Sequence, residues 1–266
     1  MTKETSVISV RALSTGYRLS ESARYVVTSP FDAVLPSGCL TCLLGPNGSG
    51  KSTLLRTLAG FQKPLSGEVM IDGISVSAIS CSRLSTLVSV VLTDRPDSPH
   101  LDVRQLVALG RSPYTGWFGR MSESDQAIVN QAMEQVSITA LADRTVSSLS
   151  DGERQKVMIA KSLAQSTPVI FLDEPTAFLD YPAKVDILML LRHLAFTQGK
   201  TIMLSTHDLE LALRIADYTW LIDRKLGITT GLTSQLAADG SIARYFERPG
   251  LTFHPSTRTF DIVDER

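Results

Sequence analysis

Two spacings of apolar residues alternate along this chain, and each change of spacing marks a change of element. From Cys39 to Leu44 an apolar run leads into a glycine-rich stretch, and STLLRTLAG from Ser52 has helical spacing ended by Gly60, which predicts strand, loop and helix. Residues 66 to 76, SGEVMIDGISV, alternate apolar and polar around Asp72-Gly73 and predict strands of an antiparallel layer. From about residue 100 to 165 the spacing is helical. DVRQLVALGR comes first, and after the turn-rich SPYTGWFGRMS the segment ESDQAIVNQAMEQV aligns Ile128, Val129, Ala132, Met133 and Val136. PVIFLDE and KTIMLSTHD then carry short apolar runs of the kind found in parallel strands buried on both faces, with a helix over residues 182 to 197 between them. Strand, helix, strand predicts a right-handed crossover and an α/β core, with residues 95–165 a helical insertion. Beyond Tyr218 the pattern predicts a strand pair and a short helix.

Composition narrows the class. The 266 residues are 43% hydrophobic and 20% charged, which excludes a mainly disordered chain and suits one or two domains of about 150 residues. Lys and Arg number 26 against 27 Asp and Glu, so no strongly basic surface points to nucleic acid or anionic lipid. Cys39 and Cys42 form a lone C-x-x-C and Cys81 stands apart, too few for a four-ligand zinc site or a disulfide framework. All three are expected to be buried small apolar side chains in a reducing cytosol. MTKETSVISV lacks the basic start and apolar stretch of a signal peptide, and the longest apolar runs fall short of the roughly 18 residues of a spanning helix. A cytosolic protein is expected, unless a partner holds it at a membrane.

The chemistry lies in two stretches. Gly45-Pro46-Asn47-Gly48-Ser49-Gly50-Lys51-Ser52 fits G-x-x-x-x-G-K-[ST] at every fixed position, between a predicted strand and a predicted helix. Its glycines let backbone N–H groups close around β- and γ-phosphates, the helix dipole favours the anion, Lys51 neutralises charge and Ser52 can ligate Mg²⁺. VIFLDE sets Asp173 and Glu174 at the carboxyl end of a buried strand, where open α/β sheets bind ligands. Asp173 suits the Mg²⁺ shell and Glu174 the orientation or deprotonation of an attacking water.

With these motifs the chain resembles the ATP-binding cassette proteins, the ATPase subunits of membrane transporters. LSDGERQKVMIAKSLAQ from Leu149 resembles the family's LSGGQ signature and its helix, Phe178-Leu179-Asp180 its D-loop, and His207 in LSTHD its switch histidine. The resemblance spans nearly the whole chain. It implies a phosphate-loop NTPase core of mostly parallel sheet flanked by helices (residues 1–94 and 166–266, with an antiparallel β subdomain) and a helical subdomain over 95–165. It implies Glu174 and His207 as catalytic groups, and ATP contacts by the phosphate loop, Thr53, Ser150, Asp151, Gly152, Glu153 and Asp180. Tyr17 in LSTGY matches the aromatic that stacks on adenine, although an ordinary half-buried tyrosine is the alternative.

Two motifs depart from the family. Asp151 and Glu153 replace Gly and Gln of the signature. Ser150 and Glu153 still satisfy S-x-x-E, a capping box that predicts an ordered helix start, whereas Asp151 would repel a γ-phosphate unless its side chain points away. The family's Q-loop glutamine falls on Asp94 when aligned from SVVLTD; a carboxylate there is either a Mg²⁺ ligand or a loop acid without metal contact.

VRQLVALGRSPYTGWFGRMSESD is similar to the helical subdomain of importers for iron chelates, haem and cobalamin, although Gly110 to Tyr114 and Trp117-Phe118 fit a packed helix connection equally well. The resemblance implies a homodimer that sandwiches two ATPs head to tail and drives a membrane permease from the cytoplasmic face, served by an external substrate-binding protein, with no nucleic-acid partner. A soluble cassette ATPase acting on ribosomes or DNA is the alternative. A small-molecule kinase or GTPase would share the phosphate loop but leave LSDGER and His207 unexplained.

Overall fold

The computed structural model of the protein describes residues 6–20, 23–92, 100–116 and 119–262. Along the chain run β1 (Ser6–Arg18), β2 (Arg24–Pro36), β3 (Leu40–Leu44), α1 (Lys51–Leu58), β4 (Ser66–Ile71), β5 (Ile74–Ser75), α2 (Cys81–Leu84), β6 (Val88–Val91), α3 (Val103–Ala108), α4 (Glu123–Gln135) and α5 (Asp151–Ala164). They are followed by β7 (Val169–Asp173), α6 (Tyr181–Gln198), β8 (Thr201–Thr206), α7 (Leu209–Ile215), β9 (Tyr218–Asp223), β10 (Gly227–Leu232), α8 (Thr233–Ala238), α9 (Ser241–Phe246), β11 (Leu251–His254) and β12 (Thr259–Ile262). Two compact units divide the chain, residues 1–79 with 191–266, and residues 80–190.

In the first unit β3 lies between β8 and β9, parallel to both, and β10 pairs antiparallel with β9. Every residue of β3 and β8 is buried, hydroxyls of Thr and Ser included, which is why these strands read as short apolar runs without polar alternation. Against them stands an antiparallel layer ordered β2-β1-β4-β5. The β4–β5 part follows the sequence pattern; the long β1–β2 hairpin does not. Its register shifts between Val10 and Leu13 and again between Thr15 and Gly16, so the period of two is broken. Its interior also holds hydroxyls: Ser14 donates to the Thr28 carbonyl at 2.7 Å, and Thr15 and Thr28 hydroxyls pair at 2.9 Å. Buried polar residues satisfied across a hairpin look like surface residues in a sequence.

The tail holds more than the expected strand pair and short helix. After β9 and β10 come two helices and a second hairpin, β11–β12, whose Phe253 and Phe260 rings lie 5.0 Å apart with Phe246 6.2 Å from Phe260. The cysteines also differ from expectation. Cys42 is buried, which pushes its thiol far above the ordinary range, but Cys39 is half-buried and Cys81 is exposed, because it opens α2 directly after the N-cap Ser80.

In the second unit β6 and β7 pair in parallel and α3, α4 and α5 pack together. GRSPY is the lock of this packing. Arg111, 5% exposed, donates from Nε to Asp125 Oδ1 at 2.9 Å and from Nη1 to the Ala164 carbonyl at 2.8 Å, which ties the start of α4 to the end of α5. The Tyr114 ring covers the guanidinium at 4.0 Å and its hydroxyl donates to the Gln165 carbonyl. A Cβ on Gly110 would lie 2.2 Å from the Lys161 carbonyl oxygen, so only glycine admits this approach. Trp117 and Phe118 lie outside the described residues.

Arg111→Met is expected to lower the thermal unfolding midpoint by about 5–10 °C, because it leaves the Asp125 carboxylate buried without its cation. The Ser122 hydroxyl and amide, and then Arg111, hold the Asp125 carboxyl down from 3.8 to about 2. That stabilisation is full above a pH of about 4 and is lost as pH falls through 2. The acid-induced loss of stability between about pH 4 and 2 should therefore be smaller in Asp125→Asn; an unchanged titration would mean that other carboxylates govern acid unfolding.

Candidate nucleotide site

The phosphate loop joins the end of β3 to α1, and its glycines are there for space. A Cβ on Gly45 would lie 2.2 Å from the Ile222 carbonyl oxygen, and one on Gly50, where φ is +105°, would lie 2.0 Å from Val27 Cγ1. Only a backbone without side chains fits between β9 and β2, and that leaves its N–H groups available to a ligand. Lys51, 6% exposed, donates from Nζ to the Gly45 carbonyl at 2.9 Å and to the Pro46 carbonyl at 3.2 Å, so the ammonium lies inside the loop. The buried Ser49 hydroxyl makes no hydrogen bond to the described residues. Ser52 lies exposed in the first turn of α1, and Thr53, buried, meets the Tyr17 hydroxyl at 2.9 Å. Tyr17 is thereby anchored by its hydroxyl while the residue stays 44% exposed, an arrangement compatible with stacking.

One brace of this loop was invisible in the sequence. Arg224, at the tip of the β9–β10 hairpin, donates from Nε to the Gly48 carbonyl at 3.0 Å and lies 5.8 Å from the Tyr25 ring centre. The hairpin tip is fixed by Asp223, which accepts from the Lys225 and Leu226 amides and is held below the usual carboxylate range first by the Leu226 amide. A cleft of about 430 Å³ opens between Pro46–Ser49 and Asp223–Lys225. His207 follows β8 and is exposed.

In the second unit Asp173 ends β7 and is buried, and Glu174 follows with φ +49°, in the left-handed region that costs a non-glycine residue of order 1–2 kcal/mol. The turn redirects Glu174 out of the strand line. Phe178 repeats the strained conformation at φ +64°, and Asp180 accepts from the Ala183 amide at 3.0 Å, so the D-loop acid also caps α6. The signature helix starts as its sequence predicts: Ser150 Oγ accepts from the Glu153 amide and Glu153 Oε2 accepts from the Ser150 amide at 2.8 Å. Asp151 and Gly152 fill the first turn, both half-buried. Asp94 lies outside the described residues.

Loop and helix fit a polyphosphate, since the cradle is closed to side chains and holds an ammonium. No group of three or more His, Cys, Asp or Glu side chains among the described residues is gathered to hold a metal. The Ser52 hydroxyl in the first unit and the Asp173 carboxylate in the second are each hard oxygens of the kind that Mg²⁺ takes.

The ABC transporter family model matches residues 29–177. Over 242 residues the chain is 39% identical to the achromobactin transport ATP-binding protein CbrD of Dickeya dadantii, covering 91% of this chain and 88% of that protein. Over 223 residues it is 34% identical to the iron(3+)-hydroxamate import ATP-binding protein FhuC of Bacillus subtilis, covering 84% and 82%. Among solved structures it is similar to an ABC transporter described as metal-chelate type, in an inward-facing conformation, at 26% identity and a TM-score of 0.79 over 97% of each chain. The cassette MJ0796, in a dimeric post-hydrolysis state bound to ADP and Pi, matches at 25% identity and a TM-score of 0.72 over 85% of this chain and 98% of that one. The chain belongs to the ABC transporter family. It has the α/β phosphate-loop fold of the family's ATP-binding cassettes and is an ATPase.

Proposed function

We propose that the chain is the ATP-hydrolysing subunit of an importer for iron-siderophore, haem or cobalamin cargo. The observation that carries this reading is the match over most of the chain to proteins named for achromobactin transport and iron(3+)-hydroxamate import. In this reading two copies close head to tail, and each phosphate loop faces the other copy's signature. A permease in the membrane receives the motion, and a substrate-binding protein delivers cargo from outside. The chain then sits on the cytoplasmic face, held by the permease; no helix among its described residues is long and apolar enough to cross a membrane.

Bound ATP supplies the phosphoanhydride bond and Mg²⁺ the neutralising charge. The chain supplies the rest. Lys51 and the loop amides would hold the β- and γ-phosphates, Ser52 and Asp173 would hold the metal, and Tyr17 would stack on adenine. Glu174 accepts a proton from the attacking water, and His207 hydrogen-bonds the γ-phosphate. Ser150 to Glu153 present the signature to the partner's nucleotide, and Asp180 lies beside it. The assignment of Asp94 to the metal rests on its place in the sequence.

Native isolation from membranes, followed by reconstitution of the complex in proteoliposomes, tests the reading. A hydrophobic subunit should copurify, and uptake of a ferric siderophore, haem or cobalamin should require ATP inside or outside according to orientation. Recovery with ribosomes or DNA and no membrane subunit would favour a soluble cassette ATPase instead.

A further inference from the structure

The start of α5 carries an electrostatic difficulty and, beside it, a residue that answers the Glu153 part of it. Asp151 and Glu153 put two carboxylates in the first turn. Glu153 uses one carboxylate oxygen for its cap, accepting at 2.8 Å from the Ser150 amide and at 2.9 Å from the Ser150 hydroxyl. Its other oxygen accepts from Arg144 Nη1 at 3.3 Å, while Arg144 Nη2 donates to the Ser148 carbonyl at 2.7 Å. The Ser150 amide and hydroxyl, then Arg144 and Lys156, hold the Glu153 carboxyl below its ordinary range, so it is ionised at neutral pH. A carboxylate in the first turn suits its own helix dipole but repels a polyphosphate approaching the same helix end.

We propose that Arg144 is a positioning residue for the signature: it turns the Glu153 carboxylate back onto the helix cap and neutralises it, so that the α5 N-terminus can receive the γ-phosphate of ATP bound by a second copy of this chain. The inference rests on the head-to-tail ATPase reading above. The pair is a partly exposed surface pair, 45% and 33% accessible on its two side chains, and such pairs add little to stability. Its role is therefore separable from folding.

The test is ATPase kinetics of four proteins: wild type, Arg144→Met, Glu153→Gln, and the double variant, each with its thermal midpoint recorded. Arg144→Met should raise the KM for ATP roughly tenfold with a smaller change in kcat, and the defect should shrink as salt rises from 50 to about 500 mM and screens the exposed charge. In the Glu153→Gln background the same Arg144→Met change should alter KM less than about twofold, because the amide still caps and the carboxylate that Arg144 pairs with is gone. Arg144→Lys should recover part of the loss. An equal KM defect in both backgrounds, or none in either, would overturn the proposal and assign Arg144 to the Ser148 carbonyl alone. Absence of ATPase activity in wild type would instead overturn the ATPase-dimer reading, and this inference with it.

Discussion

Glu174→Gln is expected to keep ATP binding and to lose about 10²–10⁴-fold in turnover, the range for removal of a general base. The substitution changes one atom for another of nearly equal size, so the turn after β7 should stand. That turn is the reason for the expectation. Glu174 occupies a left-handed backbone conformation at φ +49° immediately after the buried Asp173, and an outlier of this kind persists only where surrounding structure holds it. Asp173 ends the buried strand, whereas Glu174 lies in the strained turn after it, which fits the separate roles proposed for the two carboxylates. Single-turnover hydrolysis of ³²P-labelled ATP measures the chemical step, and gel filtration with ATP should find the variant accumulating as a nucleotide-bound dimer. Hydrolysis within threefold of wild type would mean that another group activates the water.

The parts of the site that were legible in the sequence are those whose chemistry needs neighbours along the chain. A phosphate cradle requires glycines at fixed steps before a lysine, and a capping box requires Ser and Glu three apart; Gly45 to Ser52 and Ser150 with Glu153 are found as the spacing predicts. The strands β3, β7 and β8 were legible because burial on both faces leaves apolar runs. What stayed hidden depends on pairs far apart in sequence. Arg224 reaches Gly48 across 176 positions, and Arg111 joins Asp125 and Ala164 through a guanidinium that a hydropathy pattern counts as surface. The β1–β2 hairpin was hidden for a related reason, since its bulges and paired hydroxyls erase the alternation that marks a strand. The resemblance to a family singled out Tyr17 as a candidate for adenine stacking, whereas the bond that anchors it to Thr53 comes from the fold.

Lys51→Ala should weaken ATP binding by roughly 10- to 100-fold, the equivalent of one or two charge-assisted hydrogen bonds at about 1.5–3 kcal/mol in total. The lysine is the one loop side chain whose charge lies within the cradle, 6% exposed and bonded to the Gly45 and Pro46 carbonyls. Those bonds preorganise it: the ammonium is already desolvated and held among the loop's backbone groups, so a phosphate meets a fixed positive charge and not a mobile one. Alanine removes the charge and leaves two carbonyl oxygens pointing at the same space, which adds repulsion to the lost attraction. Lys51→Arg separates the two effects, since it keeps the charge but is too large and differently shaped for a cradle that excludes even a Cβ at Gly45 and Gly50. Titration calorimetry with ATP and Mg²⁺ should rank wild type first and Lys51→Ala last, with Tyr17→Ala losing less because a stacking contact is worth about 1–3 kcal/mol only when fully formed. Equal affinity of wild type and Lys51→Ala would mean that the loop between β3 and α1 does not bind the phosphates.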